Sequence, residues 1–303
     1  MDSMDKDILK DYGYYLKIER SMSPNTVGAY SKDVAFFLDW LDSRGLVGKD
    51  NKALSGVGTD DVISYLQSMA GSTRVSKRTQ ARILSSLRSF FSWLIQEGYA
   101  SENPCDGVDS PKMGRYLPDV LSVGEVEAVL DAVPLTGWLG LRDRAVLEML
   151  YGCGLRVSEA SDMKISALFF DEGFVRVIGK GNKERIVPIG EMAMQAVRRY
   201  LEVRPDPSAA ATDILFLNSR GSRLSRVSIF NMVKHYAMLA GITKRISPHT
   251  FRHSFATHLI ENGADLRVVQ EMLGHESILT TEIYTHIDKA SWQAAILSHH
   301  PRR

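Results

Sequence analysis

Cysteine is scarce in this chain of 303 residues: Cys105 and Cys153 are all there is. Two thiols so far apart make no disulfide framework and fit a reducing compartment, the cytoplasm. A run of roughly eighteen or more apolar residues is missing, so no membrane-spanning helix is expected. The opening Met1-Asp-Ser-Met-Asp-Lys-Asp7 is acidic and lacks an apolar stretch, so no secretory leader is expected there. Charge of one sign is lacking too, since 37 Lys and Arg against 36 Asp and Glu leave +1. That is short of the strongly basic balance of many nucleic-acid binders, so any polyanion must be met by local basic surface. Nucleotide loops are incomplete as well. Gly152-Cys-Gly154 has Val157 where a third glycine belongs and no strand before it, and Gly179-Lys-Gly181 does not fit the GxxxxGK[ST] frame.

What is present suffices for two cores. Hydrophobic residues make up 44% and charged residues 24%, ordinary for a soluble globular protein, and the length is generous for one core. Ile8, Leu9, Tyr12, Tyr15 and Leu16 recur at helical spacing over 6–20. Ser23-Pro24-Asn25-Thr26 reads as a helix start, with Tyr30, Val34, Phe37, Leu38 and Leu41 behind it. A shorter helix carries Val62, Ile63, Leu66 and Met69. Ile83, Leu84, Leu87, Phe90, Phe91, Leu94 and Ile95 form the widest apolar stripe. Four helices with short connections predict a small all-α bundle.

The front of that fourth helix is basic. Arg74, Lys77, Arg78, Arg82 and Arg88 occur without one Asp or Glu among them. Arg74, Arg78 and Arg82 repeat every four residues and so share a face. Such a ridge is either a solvated face or a set of DNA phosphate and groove contacts. Beyond it Pro104, Gly107, Pro111, Gly114 and Pro118 break every period. The expected division is an N-terminal helical domain over 1–103, a linker over 104–119 and a second domain over 120–303.

That second domain opens on Ser122-Val-Gly-Glu125, a capping-box pattern. A helix through Arg144, Val146, Leu147 and Leu150 ends at Tyr151-Gly-Cys-Gly154. Phe174–Ile178 and Arg185–Ile189 have β character and flank 179–183, which puts Lys180 on a hairpin tip, and Leu168-Phe-Phe170 reads as a third strand. Helices are expected over 190–203, about 225–240, from Pro248, over 265–272 and around Tyr284. The fold class is therefore mainly α with a small antiparallel β-sheet.

Five of the eight histidines, His249, His253, His258, His275 and His286, crowd into the stretch that begins at Ser247. Ser247 can cap a helix starting at Pro248, on which His249 and Arg252 share a face able to hold one oxyanion. If that oxyanion is a phosphodiester, in-line displacement creates an anionic transition state that fixed cationic donors stabilise. Arg156 and Arg252 then supply guanidinium forks, His249 and His275 ring N–H groups, Lys180 a proton for the departing oxygen, and Tyr284 the nucleophile. Ionising a free tyrosine at pH 7 costs roughly 4 kcal/mol, modest beside the ~8 kcal/mol or more that enzymes supply. A covalent phosphotyrosyl link conserves the bond energy, so rejoining needs no nucleotide. Taken singly, each residue also has a plainer role: Arg156 and Lys180 as solvated groups, His249 and His275 as structural histidines, Tyr284 as a half-buried tyrosine.

Gly154-Leu-Arg156-Val-Ser-Glu159, Gly179-Lys180-Gly-Asn-Lys183-Glu-Arg185, Ser247-Pro-His249-Thr-Phe-Arg252-His253-Ser-Phe-Ala-Thr-His258, Leu273-Gly-His275 and Tyr284-Thr-His286 together resemble the tyrosine recombinase/phage integrase family. The likeness is strongest to its Xer-type members and spans nearly the whole chain. It implies a core-binding, SAM-like helical domain and a C-terminal catalytic domain that form a C-shaped DNA clamp. It implies that Arg156 and Arg252 clamp the scissile phosphate, that Lys180 is the general acid, and that His249 and His275 support the transition state. Tyr284 is then the nucleophile that forms a 3′-phosphotyrosyl bond and frees a 5′-hydroxyl, and Glu159 orients an arginine. His253, His258 and His286 are left with supporting positions. No metal, ATP or other cofactor is implied. The implied partners are a double-stranded recombination site and a homo- or hetero-tetramer on two duplexes, exchanging strands through a Holliday junction. Residues 288–303 would dock on a neighbouring subunit, and a DNA translocase would act as regulator. The implied role is chromosome dimer resolution at cell division, which the compact length favours over integration of a mobile element by the same chemistry. One departure is the apolar Ala167-Leu-Phe-Phe170, where the family commonly has an Asp-containing loop.

Two other readings compete. His249 and His253 have the spacing of an HExxH zinc pair, but the intervening Thr-Phe-Arg lacks the glutamate base and sets a cation beside the site. A DNA-binding module with a vestigial catalytic shell is the non-enzyme alternative.

Overall fold

The computed structural model of the chain describes residues 3–46, 54, 56–70, 75–111, 120–179, 183–274 and 298–302. Two compact units divide it, Met1–Tyr116 and Leu117–Arg303. The first is built from α1 (Ser3–Ile18), α2 (Pro24–Ser43), α3 (Thr59–Ala70) and α4 (Lys77–Gln96). Ser23 caps α2, its hydroxyl accepting from the Thr26 N–H at 3.3 Å, with Pro24 at the first helical position. Ser76 does the same for α4 through Thr79 at 3.2 Å.

The apolar stripes of these helices close on each other, burying Tyr12, Leu16, Phe37, Leu38, Leu41, Leu84, Leu87, Phe90 and Phe91 completely. Tyr12 meets Phe90 edge-on at 5.1 Å, the arrangement that ring quadrupoles favour. Ile95, read as part of the stripe, is exposed where α4 runs out. A carboxylate also enters this core: Asp33 of α2 is buried and receives the Ser86 hydroxyl at 2.7 Å and the Arg82 guanidinium, which ties α2 to α4.

The second unit holds α5 (Val123–Asp131), α6 (Gly137–Gly152), α7 (Val157–Ser161), β1 (Leu168–Phe169), β2 (Phe174–Ile178), β3 (Glu184–Pro188), α8 (Glu191–Val203), α9 (Arg226–Leu239), α10 (Pro248–Glu261) and α11 (Leu266–Leu273). The capping box of α5 is complete: Ser122 N–H donates to Glu125 Oε2 at 2.7 Å and Glu125 N–H to Ser122 Oγ at 3.2 Å. The sheet runs β1-β2-β3, antiparallel throughout, with Val175 opposite Val187. β1 is shorter than the sequence suggests, because only Leu168 and Phe169 pair before the turn at 170–173. Helix α6 is the spine of this unit, buried along Ala145–Gly152. The fold class is as expected, mainly helical with one small antiparallel sheet. The helix expected around Tyr284 lies outside the described residues. Among the described residues no helix is long and apolar enough to cross a membrane.

Candidate active site

Four short segments converge behind the arginine pair. Helix α6 ends at Cys153, and Gly154 turns the chain with φ +58° so that Arg156 stands at the cap of α7. Only glycine fits here: a Cβ on Gly154 would lie 2.6 Å from a Phe255 ring carbon. One turn into α7, Glu159 points back. Its carboxylate takes the Arg156 N–H at 2.7 Å and the Arg156 Nη1 at 2.8 Å. From the start of β3, buried Arg185 reaches the same carboxylate with both terminal nitrogens, each at 2.8 Å. From α10, Arg252 stands 3.9 Å from Glu159 Oε2 and donates to the Gly154 carbonyl at 2.7 Å.

The end of α11 completes the cluster. Its last carbonyls have no partners within the helix and carry the negative end of the helix dipole. The Met272 carbonyl accepts from Arg185 Nε at 2.9 Å, the Leu273 carbonyl from Arg252, and the Gly274 carbonyl from Arg156 at 3.1 Å. Gly274 makes the left-handed turn that frees them, with φ +65°.

Electrostatics follow from this geometry. Burial by itself raises the pKa of Glu159, but the hydrogen bond and charge of Arg185, then the bonds from Arg156, outweigh it and hold the carboxyl down at about 2. Arg252 moves the other way: burial first, then the charge of Arg156, lower its pKa to about 9, so it is still protonated at neutral pH. Three guanidiniums facing one carboxylate leave two uncompensated positive charges. Such a place suits a phosphoryl group.

The remaining expected residues divide. His249 is exposed on α10, one turn from Arg252, and the Ser247 N–H donates to the Thr250 hydroxyl at 3.1 Å at that helix start. Lys180, His275, Tyr284 and Arg74 lie outside the described residues. Lys77 and Arg78 are exposed at the front of α4. Arg82 and Arg88, expected on the same DNA-contacting ridge, are engaged within the protein. Arg82 pairs with Asp33, while Arg88 donates to the carbonyls of Cys105 (3.2 Å) and Val108 and to Ser110 Oγ (3.4 Å). His258 is buried against the Tyr151 hydroxyl, 2.8 Å away.

The described end of the tail packs within this chain. Residues 298–302 lie against this chain's own helices, with His300 2% exposed between Tyr151 and Phe255 at ring distances of 4.8 and 5.5 Å. Arg302 Nη2 reaches the buried Glu148 at 2.7 Å. In a single chain, covering that aromatic pocket and pairing Glu148 are available without a neighbour.

Sequence reading missed Arg185. It appeared only as a residue of a β-type run and of a motif, with no role. The signal was its register: positions 185 and 187 of β3 share the inward face, so an arginine was being sent into the core.

Comparisons with known proteins show the family of the chain. The phage integrase family matches residues 119–291, and the phage integrase N-terminal SAM-like domain matches residues 9–98. A tyrosine recombinase XerD of Chlorobaculum tepidum is 47% identical over 97% of this chain and 96% of its own length. The corresponding protein of Pseudomonas aeruginosa is 42% identical over all of both chains. Among solved structures, a XerH site-specific recombinase bound to difH substrate in a pre-cleavage complex has a TM-score of 0.68 at 22% identity, over 93% of this chain and 94% of that one. With a family match over most of its length and relatives this similar along nearly all of it, the chain belongs to the phage integrase family, the tyrosine recombinases.

Proposed function

We propose that this protein cuts and rejoins double-stranded DNA at a specific site through a 3′-phosphotyrosyl intermediate on Tyr284. The observation that carries the reading is the pairing of Arg156 and Arg252 around one buried carboxylate. The described contacts engage two of the five N–H groups of each guanidinium. Donors remain on both for a phosphate, and the two uncompensated charges match the charge that accumulates in the transition state. His249, exposed one turn before Arg252, adds a ring N–H to the same oxygens.

Lys180, His275 and Tyr284 enter through their motifs. Lys180 protonates the departing 5′-oxygen, His275 supports the phosphate, and Tyr284 attacks in line. Since the phosphotyrosyl link retains the bond energy, the second strand's 5′-hydroxyl reverses the step without ATP or metal. The partners we infer are two recombination sites held by a homo- or hetero-tetramer that passes through a Holliday junction. The biological role is chromosome dimer resolution in the cytoplasm at cell division. The near-full-length likeness to proteins named XerD supports that role over integration of a mobile element. Arg74, Lys77 and Arg78 are the DNA-contacting members of the basic run at and before the start of α4.

The test is covalent capture in EDTA without nucleotide. A pool of nicked duplexes of randomised sequence is incubated with protein, and adducts stable to detergent are collected. The wild type forms adducts on a recurring sequence and Tyr284→Phe forms none. A wild type that binds DNA but never forms an adduct would instead be an inert binding module.

A further inference from the structure

Arg185 is the most buried member of the arginine cluster, its side chain 5% exposed against 10% for Arg252 and 32% for Arg156. All three of its guanidinium nitrogens are engaged within the protein, so the residue acts through its neighbours. It has three attachments. Two terminal nitrogens meet both oxygens of Glu159 at 2.8 Å, and Nε meets the Met272 carbonyl at 2.9 Å. Its backbone belongs to β3, immediately after the turn that is closed by the Gly179 N–H donating to the Lys183 carbonyl at 2.8 Å.

Each attachment leads to a different part of the proposed machinery. Glu159 holds the Arg156 guanidinium and backbone. Met272 begins the run of three carbonyls whose other members receive Arg252 and Arg156, and that run precedes His275 in the chain. β3 is paired with β2, and Lys180 lies in the sequence between the two strands. A planar guanidinium with fixed donors is suited to holding two acceptors at a set angle, which an ammonium group cannot reproduce. We propose that Arg185 is a positioning residue for strand cleavage, setting Arg156 through Glu159 and the end of α11 through the Met272 carbonyl.

This assignment rests on the recombinase reading above, and the experiment separates the two. Wild type, Arg185→Lys, Arg185→Met, Glu159→Gln and the Arg185→Met/Glu159→Gln double variant are compared on a nicked duplex chosen by covalent capture with the wild type. Single-turnover adduct formation, affinity for the same duplex and the thermal midpoint are measured for each, with rates taken well below every midpoint. Arg185→Lys retains a charge for Glu159 and serves as the folded variant should the methionine variant fold poorly. The expected result is a cleavage rate lowered about 100-fold in both Arg185 variants, since a displacement near 1 Å costs about that much. Affinity stays within about threefold, and the double variant is no slower than the worse single one, as for residues acting in one unit. Cleavage at the wild-type rate in Arg185→Lys, or losses that multiply in the double variant, would overturn the positioning role and leave the recombinase reading intact. Failure of the wild type to form any adduct overturns the recombinase reading, and this assignment with it.

Discussion

Gly154 and Phe255 approach so closely that a Cβ on the glycine would sit 2.6 Å from the ring, and the backbone there is left-handed with φ +58°. The Gly154 carbonyl is also an acceptor for Arg252 at 2.7 Å. The tight turn after α6 thus sets the reach of an arginine on α10. Gly154→Ala must strain the backbone and displace the ring, and is expected to cost about 2 kcal/mol or more of stability. Denaturant unfolding of the variant checks this; an unchanged midpoint would contradict it.

Arg156→Ala and Arg252→Ala are expected to slow covalent cleavage by about 100-fold or more, as loss of one transition-state donor does elsewhere. DNA affinity should fall far less, because many other phosphate contacts remain. Comparing single-turnover rates with binding constants on one duplex reads the difference. Equal losses in both would place these arginines in ground-state binding.

The basic ridge separates into two kinds of residue. Lys77 and Arg78 are exposed, whereas Arg88 is committed to Cys105, Val108 and Ser110. Lys77→Ala or Arg78→Ala is expected to lower DNA affinity and reduce the salt slope by about 1, with little change in the thermal midpoint. Arg88→Ala should instead destabilise the first unit by about 1–3 kcal/mol, the cost of leaving buried carbonyls unpaired. A salt titration and a melting curve for each variant distinguish them; an Arg88 variant of full stability with a reduced salt slope would reverse its assignment.

Much of this was legible in the chain because local rules and tertiary packing coincide. Ser23-Pro24 and Ser122…Glu125 wrote their caps into the sequence, and the α4 stripe wrote its buried face. Arg156, Arg252 and Glu159 were found through motif and spacing. The internal partners of Arg82, Arg88 and Arg185 were not foreseen, and for one reason. Each partner is distant in sequence, Asp33, the carbonyls of 105 and 108, or Glu159, and neither a run of positive charge nor a motif names it; Arg82 keeps an exposed side chain all the same. The same holds for His300, whose aromatic surroundings come from α6 and α10.

His300 carries a pH dependence. Burial, the largest influence, lowers its pKa from 6.5 to about 4, and Nε2 has no partner among the described residues. The groups facing it are Tyr151, Phe255, His258 and Arg302, none of them an acid that could welcome a proton. A released tail binds a proton more readily than a docked one, so docking is fully favourable above pH 6.5 and weakens as pH falls toward about 4. The loss approaches about 3 kcal/mol at most. A nuclear magnetic resonance titration of the His300 ring should show protonation near pH 4; an ordinary midpoint near 6.5 would mean that the ring is not docked.

The central claim is that Tyr284 becomes joined to DNA at a 3′-phosphate while Arg156 and Arg252 hold the phosphate. Mass spectrometry of a nuclease-trimmed, protease-digested adduct tests it most directly. The account predicts a nucleotide 3′-phosphate attached to the peptide containing Tyr284, with a free 5′-hydroxyl on the released strand. An adduct on any other residue, or a link through a 5′-phosphate, would contradict it.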